Sequence, residues 1–187
     1  MRIALEHVFF SYGDKEIFRD LSLWLPDRGI LAVMGASGSG KTTLLRLLCG
    51  LLIPDAGAVH GLEDLRPAFI FQEDRLLPWF SALENLNLIT GQAALSAEWL
   101  GKVGLSGWEG AKPAKLSGGM CRRVAIARAL ASESNLLLMD EPFKGLDSGT
   151  KEAMMALIRE RCREIPGVLI THDREEANGL ADDILEI

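Results

Sequence analysis

The sequence predicts an α/β fold with a largely parallel sheet, and two observations carry that prediction. Short apolar runs bounded by turn residues alternate with longer segments of helical period, which is the order of elements that parallel strands need for their crossovers. The candidates for buried strands are residues 30–34, 68–71, 136–139 and 168–171. The chain also has 187 residues, 48% of them hydrophobic, which is enough to bury the core of such a sheet.

Two segments near the N-terminus show the alternation of a strand with one buried face. Ile3 and Leu5 form one such pair, and Leu21, Leu23 and Leu25 form the second set. They predict an antiparallel addition to the main sheet.

A helix is predicted to begin after residue 41. Its apolar residues recur at i, i+3, i+4, i+7 and i+8, so they share one face that can pack on the sheet. These residues are Leu44, Leu47, Leu48, Leu51 and Leu52. Pro54 marks the predicted end of the helix, because proline removes a helical hydrogen bond.

Two further helices are predicted later in the chain. Ser81 followed by Glu84 is a capping box and opens a helix through about Ile89, so residues from about 73 to 115 are expected to be helical and distinct. A second helical face precedes Pro166 and Gly167, which are expected to stop its helix. The residues of this face are Met154, Leu157, Ile158, Cys162 and Ile165.

The charge balance excludes one class of function. The chain has 20 Lys and Arg against 26 Asp and Glu, a net charge of −6, which is the wrong sign for gripping nucleic acid with the whole surface. Any bound polyanion must therefore be held locally. The three cysteines form no CxxC pair, no apolar run reaches the roughly 18 residues of a membrane span, and the N-terminus lacks a signal peptide's apolar stretch. A reducing cytosol is the expected compartment.

A glycine-rich segment follows one predicted strand and opens the first predicted helix, which is the context that a P-loop requires. Glycines allow consecutive backbone N–H groups to turn inward around phosphate oxygens, and the helix N-terminus adds partial positive charge. Lys41 would reach the β and γ phosphates, and the Thr42 hydroxyl would face Mg²⁺. The predicted nucleotide-binding residues here are Gly35, Ala36, Ser37, Gly38, Ser39, Gly40, Lys41, Thr42 and Thr43.

Two carboxylates end a later apolar strand, as in a Walker B strand. Asp140 would help to hold Mg²⁺, and Glu141 could activate a water for attack on the γ phosphate. Taken alone, the pair could equally be two solvated acids before the turn at Pro142.

A second glycine-containing segment, residues 116–120, reads Leu-Ser-Gly-Gly-Met and begins a helix. Ser117, Gly118 and Gly119 form a second candidate anion site, and the alternative is an ordinary N-cap with flexible glycines. With this segment and the helix after it, the chain resembles the ATP-binding cassette (ABC) ATPase family, whose signature LSGGQ it matches at four of five positions. We call residues 116–120 the signature segment. In that family the signature of one subunit closes over the nucleotide on the P-loop of another.

The resemblance implies roles for other residues at matching positions. Tyr12 resembles the aromatic residue that stacks on adenine, although alone it would be read as packing. Gln72 resembles the glutamine that touches Mg²⁺ or the attacking water, and His172 resembles the histidine that hydrogen-bonds the γ phosphate. Residues 145–147 resemble the D-loop, although Lys144 and Gly145 replace the small residues usual before its Leu-Asp pair. Met120 stands where the family pattern has Gln.

The resemblance also implies an architecture and partners. It implies a P-loop NTPase core, N-terminal antiparallel strands and a helical signature subdomain over about 73–130, all in one domain over 1–187. It implies ATP and Mg²⁺ as ligands, a second ATPase subunit in an ATP-dependent homodimer, transmembrane permease subunits, a solute-binding protein and no nucleic acid. The chain would lie in the cytoplasm, peripheral on the inner face of the cell membrane.

Residues 71–79 look most like the matching stretch in the ATPases of importers for nitrate, sulfonates, taurine and similar small solutes. The resemblance therefore favours an importer ATPase. Only 73 residues separate the P-loop from the signature segment, which excludes the long coiled coil of chromosome-associated relatives. Two alternatives remain. One is a soluble ATPase that acts on nucleic acid or ribosomes. The other is a nucleotide-binding module that has lost ATP turnover, which is suggested by Met120.

Overall fold

A computed structural model describes residues 3–187 of the chain. Six α-helices, eight strands and one 3₁₀ turn (Pro113–Lys115) form the described part. In chain order the elements are β1 (Ala4–Tyr12), β2 (Lys15–Trp24), β3 (Gly29–Met34), α1 (Lys41–Leu48), β4 (Ala56–His60), β5 (Pro67–Ile70), α2 (Ala82–Thr90), α3 (Ala93–Lys102), α4 (Gly118–Leu130), β6 (Leu136–Asp140), α5 (Ser148–Cys162), β7 (Pro166–Ile170), α6 (Arg174–Leu180) and β8 (Asp183–Glu186).

The strands form two sheets. Five strands pair in the order β5-β6-β7-β3-β8, all parallel, which confirms the predicted α/β class. The N-terminal strands form a separate antiparallel sheet in the order β2-β1-β4, so the prediction that they extend the main sheet is wrong. Strand β1 pairs with β2 on one edge and with β4 on the other, and within residues 3–187 no strand of this sheet is hydrogen-bonded to a strand of the parallel sheet. The two sheets meet through apolar side chains instead, with α1 between them in the same cluster.

The parallel sheet is buried on both faces. Ile30, Ala32 and Met34 of β3 pack in one apolar cluster with helices α2 to α6. Leu31 and Val33 point to the opposite face and pack with α1 and the antiparallel sheet. This alternation is the period of a β-strand, and the central strands therefore read as continuous apolar runs.

Helix α1 is shorter than predicted. Its predicted apolar face is buried through Leu48, but Leu51 is 69% exposed. The helix ends in a Schellman motif, in which Leu51 N–H donates to Arg46 C=O and Gly50 N–H donates to Leu47 C=O. Gly50 has φ +70°, a conformation that favours glycine, so this residue ends the helix before Pro54 is reached.

The other helices follow the sequence more closely. Both hydrogen bonds of the capping box between Ser81 and Glu84 are present, and α2 continues to Thr90. In α5 the apolar face is buried at Met154, Ile158 and Cys162. That helix ends at Cys162, because residue 166 already begins β7, so the predicted continuation to residue 165 is wrong. No helix within residues 3–187 is both long and apolar enough to cross a bilayer.

Candidate functional site

The predicted site residues follow the carboxyl ends of four neighbouring strands, which meet at one edge of the parallel sheet. Gly35 follows β3, Gln72 follows β5, Glu141 follows β6 and His172 follows β7. This edge is the usual ligand position in an open α/β sheet. A cleft of about 460 Å³ opens there, and it is lined by twelve predicted residues: Tyr12, Gly35, Ser37, Gly38, Gly40, Lys41, Thr42, Thr43, Gln72, Asp140, Glu141 and His172.

The glycine-rich loop between β3 and α1 is shaped by close packing. At Gly40, which caps α1 with φ +105°, a Cβ atom would lie 2.6 Å from the Ile17 side chain. At Gly35 a Cβ would lie 2.1 Å from the carbonyl oxygen of Ile187. Neither position can accept a side chain without moving its neighbour, so glycine is required for the loop to lie this close to β2 and the chain's last residue.

The start of α1 offers unused hydrogen-bond donors to the cleft. The first N–H groups of a helix have no acceptor within the helix, and Gly40 has no side chain that could cap them. The Lys41 ammonium lies over the loop and donates to Gly35 C=O (2.8 Å) and Ala36 C=O (2.7 Å). Free N–H groups, a helix N-terminus and a lysine together make a site for phosphate oxygens.

Two oxygen-bearing side chains that could hold a divalent cation lie together beside this loop. The Thr42 hydroxyl donates to Asp140 Oδ2 at 3.2 Å, which joins the start of α1 to the end of β6. Within the described residues no three His, Cys, Asp or Glu side chains converge as a metal cage. A hydroxyl with one carboxylate suits Mg²⁺, which takes few protein ligands and fills its shell with phosphate oxygens and water.

Burial raises the pKa of Asp140, and the neighbouring Glu141 charge adds to the rise. The hydrogen bond from Thr42 and the charges of Lys41 and Arg46 oppose it. The carboxylate of Asp140 is therefore an unfavourable buried charge in the nucleotide-free protein, and a bound cation would relieve it.

The side chain of Glu141 is placed between two other predicted site residues. Its Oε1 lies 3.0 Å from His172 Nδ1, and its Oε2 accepts from the Gln72 amide at 3.3 Å. A carboxylate only accepts, so His172 Nδ1 carries the proton in this contact. Glu141 has φ +46°, a left-handed conformation that is strained for a residue with a side chain, and its N–H bonds to Ile170 C=O at 2.9 Å. Strain of this kind is typical of functional positions.

The aromatic end of the cleft contains two residues that the sequence did not single out. The Thr43 hydroxyl lies 3.5 Å from the Tyr12 hydroxyl, and the Tyr12 ring packs edge-to-face on Phe10. Lys15 and Ile17, from the next strand, line the same cleft. Lys15 and Ile17 could not be identified from the sequence, because their place in the cleft depends on the contact of β2 with the glycine-rich loop rather than on spacing along the chain.

The remaining predicted residues lie outside the cleft lining. Ala36 and Ser39 belong to the glycine-rich loop but do not line the cleft, and Ser39 Oγ is buried without a hydrogen-bond partner among the described residues. Ser117 and Gly118 are exposed at the start of α4, where Ser117 Oγ accepts from Met120 N–H at 3.2 Å. The signature segment does not line the cleft of its own chain.

The signature segment lies beside the predicted D-loop. A Cβ at Gly119 would lie 3.6 Å from both the Gly145 carbonyl oxygen and Leu146. Met120 is half-buried and packs against the apolar cluster of the helical region. Met120, where the family has Gln, therefore packs its thioether among apolar side chains. The hydrogen bond by which Ser117 caps α4 is still present.

Comparisons with known proteins agree with this geometry. Residues 18–144 match the family model described as "ABC transporter". An aliphatic sulfonates import ATP-binding protein, SsuB 3 of Paraburkholderia xenovorans (strain LB400), is 48% identical over 179 residues, 93% of this chain and 72% of the relative. SsuB 2 of Rhodococcus jostii (strain RHA1) is 45% identical over 182 residues, 94% of this chain and 74% of the relative. A solved dimeric ATP-binding cassette in a post-hydrolysis state with ADP and phosphate aligns with a TM-score of 0.87 at 30% identity, covering 99% of this chain and 94% of that chain.

The buried carboxylate of Asp140 generates a prediction about stability. A carboxyl whose pKa is raised by folding loses stability as pH rises through the interval between its unfolded and folded pKa values. Asp140→Asn should therefore raise the melting temperature of the nucleotide-free protein at pH 7, and the gain should disappear at pH values below the ordinary Asp pKa. The same variant should weaken Mg²⁺-dependent nucleotide binding by about tenfold or more.

Thermal unfolding at several pH values measures this effect, with the exposed Asp27→Asn as the matched control, which should change stability by less than about 0.5 kcal/mol. A lower melting temperature for Asp140→Asn than for the wild type at pH 7 would contradict the conclusion that the buried Asp140 carboxylate destabilises the folded protein.

Proposed function

The chain belongs to the ABC transporter family, and on that premise we propose that the cleft between the P-loop and β6 binds MgATP and that Glu141 activates the attacking water. The chain is an ATP-binding subunit whose ATP hydrolysis powers transport through a separate permease. The single observation that carries the proposal for the site is the carboxylate of Glu141, held between Gln72 and His172 beside the loop that offers its N–H groups and Lys41.

Each residue of the cleft then has a chemical task. The N–H groups of the loop and Lys41 bind the phosphate oxygens, and Tyr12 offers an aromatic face for adenine. Glu141 accepts the proton of the water that attacks the γ phosphate, for which a positioned general base contributes about 10²- to 10⁴-fold in rate. His172 binds a γ-phosphate oxygen and keeps the Glu141 carboxylate turned into the cleft.

Thr42, Asp140 and Gln72 are the residues that we propose for Mg²⁺. The contact between Thr42 and Asp140 supports the first two, and the position of Gln72 beside Glu141 supports the third. When bound, Mg²⁺ neutralises phosphate charge and fixes the leaving group. The protein's contribution is to hold these three oxygen-bearing side chains beside the phosphate site.

We propose that the signature residues Ser117, Gly118 and Gly119 complete the cleft of a second copy of the chain. Their exposure at the start of α4, away from the chain's own P-loop, supports this arrangement. A dimeric bacterial ABC transporter cassette aligns with this chain at a TM-score of 0.87 and 31% identity over 99% of the chain. A pair of ATPase subunits is thus the working unit.

The transported solutes that we propose are aliphatic sulfonates. The support is the set of relatives named for their import, which cover nearly the whole chain. The assembly would contain transmembrane permease subunits and a solute-binding protein, with this chain on the cytoplasmic face of the membrane. Family membership and a complete set of cleft residues also argue against a module without turnover.

A two-chain site predicts a concentration dependence. The specific ATPase activity of the purified chain should rise with protein concentration and level off once the dimer is populated, because each P-loop needs the signature segment of the other copy. Steady-state phosphate release over a hundredfold range of protein concentration measures this. A constant specific activity from a species shown to be monomeric would refute the shared site.

The proposed solute class predicts a phenotype in cells. Cells whose only copy of this chain carries Lys41→Ala should lose uptake of a labelled linear alkanesulfonate, because the nucleotide site loses its phosphate-binding charge. Sulfate uptake, measured in the same cells, serves as the control and should be unchanged. Normal alkanesulfonate uptake at normal abundance of the variant would contradict the solute assignment.

A further inference from the structure

Arg122, on the second turn of α4, is a buried arginine whose guanidinium binds backbone rather than the nucleotide cleft. Its side chain is 6% exposed. It donates to the carbonyl oxygen of Phe71 at 2.6 Å and to that of Gln72, and its Nε lies 3.0 Å from Asp74 Oδ1. A buried cation is costly unless it is paired and hydrogen-bonded. Here both terminal nitrogens donate to carbonyl oxygens and Asp74 supplies the opposite charge, although Nε itself makes no hydrogen bond among the described residues.

Arg128, six residues later on the same helix, binds the next part of the same segment. It donates to Arg75 C=O at 3.0 Å and to Asp74 C=O at 3.1 Å. Four of the five carbonyl oxygens in residues 71–75 therefore accept from two guanidinium groups of α4. We call these contacts the arginine clamp.

The clamped segment has no regular secondary structure of its own, since β5 ends at Ile70 and α2 begins at Ala82. The ring of Phe71 is held separately, by stacking on Phe69 and by the Arg75 guanidinium 3.9 Å from its centroid. What the clamp fixes is thus the peptide backbone, from which the Gln72 side chain projects to Glu141 at 3.3 Å.

The helix that supplies the clamp is also the helix that begins with the signature segment. Arg122 is five residues beyond Ser117, so about 7–8 Å of rigid helix separates the two. A bidentate guanidinium fixes both the direction and the distance of its partners, which an ammonium on a flexible stem does not.

We propose that Arg122 is a positioning residue, which holds the backbone of Phe71 and Gln72 so that the Gln72 amide reaches Glu141, and thereby ties the position of the signature helix to the catalytic carboxylate of the same chain. Arg128 holds the remainder of the segment. The inference rests on the proposed role of Gln72 in ATP hydrolysis.

A double-mutant cycle with Gln72 tests the proposal on the full chain. Arg122→Met keeps the length of the side chain and removes its donors. It should lower kcat for ATP by about tenfold and change KM by less than about twofold, because the phosphate-binding loop is untouched. In the Gln72→Ala background the same change should cost nothing further, since Arg122 acts only through Gln72. Arg122→Lys, which keeps the charge and loses the bidentate geometry, should recover part of kcat.

Arg123→Met is the matched control, because Arg123 also donates from α4 to backbone carbonyls, those of Val103 and Gly104, which lie away from Gln72. Whatever its effect on kcat, that effect should be the same in both backgrounds. If thermal unfolding shows that Arg122→Met does not fold, the cycle is carried out with Arg122→Lys.

Two results would overturn the proposal, and they differ. If Arg122→Met slows turnover by the same factor with and without Gln72, the clamp is merely structural, and the proposed function stands. If Gln72→Ala alone keeps wild-type kcat, the role of Gln72 in the proposed function fails, and the clamp proposal fails with it.

Discussion

The parallel pairing of four neighbouring strands is the constraint on which the site depends. Because β5, β6, β7 and β3 run in the same direction, the residues after each strand reach one edge of the sheet, although up to 137 residues separate Gly35 from His172 in the sequence. Both faces of the sheet are packed, so these strands cannot shift in register without turning buried apolar side chains toward the wrong layer. The residues of the cleft are therefore held in place by a rigid core.

Two of the residues at this edge of the sheet are unfavourable for folding. Asp140 is a carboxyl whose burial opposes its charge, and Glu141 adopts a left-handed backbone conformation. Each feature is unfavourable in isolation, of order 1–3 kcal/mol for a strained residue, and the surrounding core must offset it. Such costs are typical of sites that gain from a ligand, since nucleotide and cation binding would stabilise the same groups that destabilise the free protein.

The sequence predicted four of the five strands of the parallel sheet, because buried apolar runs are local patterns, and twelve of the predicted site residues line one cleft. Strands β4 and β8 were not predicted. Prediction from the sequence failed where tertiary contacts decide. Leu51 continues the apolar period of α1 but lies beyond the Schellman turn at Gly50. The N-terminal strands pair with one another and with β4 rather than with the parallel sheet, and their alternating pattern does not specify a pairing partner. Arg122 was missed because its partners are carbonyl oxygens, which every residue has. That residues 1–187 form one domain, with a helical subdomain over about 73–130, stays a prediction.

Size-exclusion chromatography with MgATP tests whether Glu141 activates water in a site that a second copy of the chain closes. Glu141→Gln keeps the shape of the side chain and one hydrogen-bonding oxygen but removes the base. We expect this variant to bind ATP, to have no turnover and to elute as a stable ATP-dependent dimer, because ATP that is not hydrolysed joins one P-loop to the other chain's signature segment. Asp140→Asn should form no such dimer. Near wild-type turnover by Glu141→Gln, or a monomer at saturating MgATP, would contradict the account.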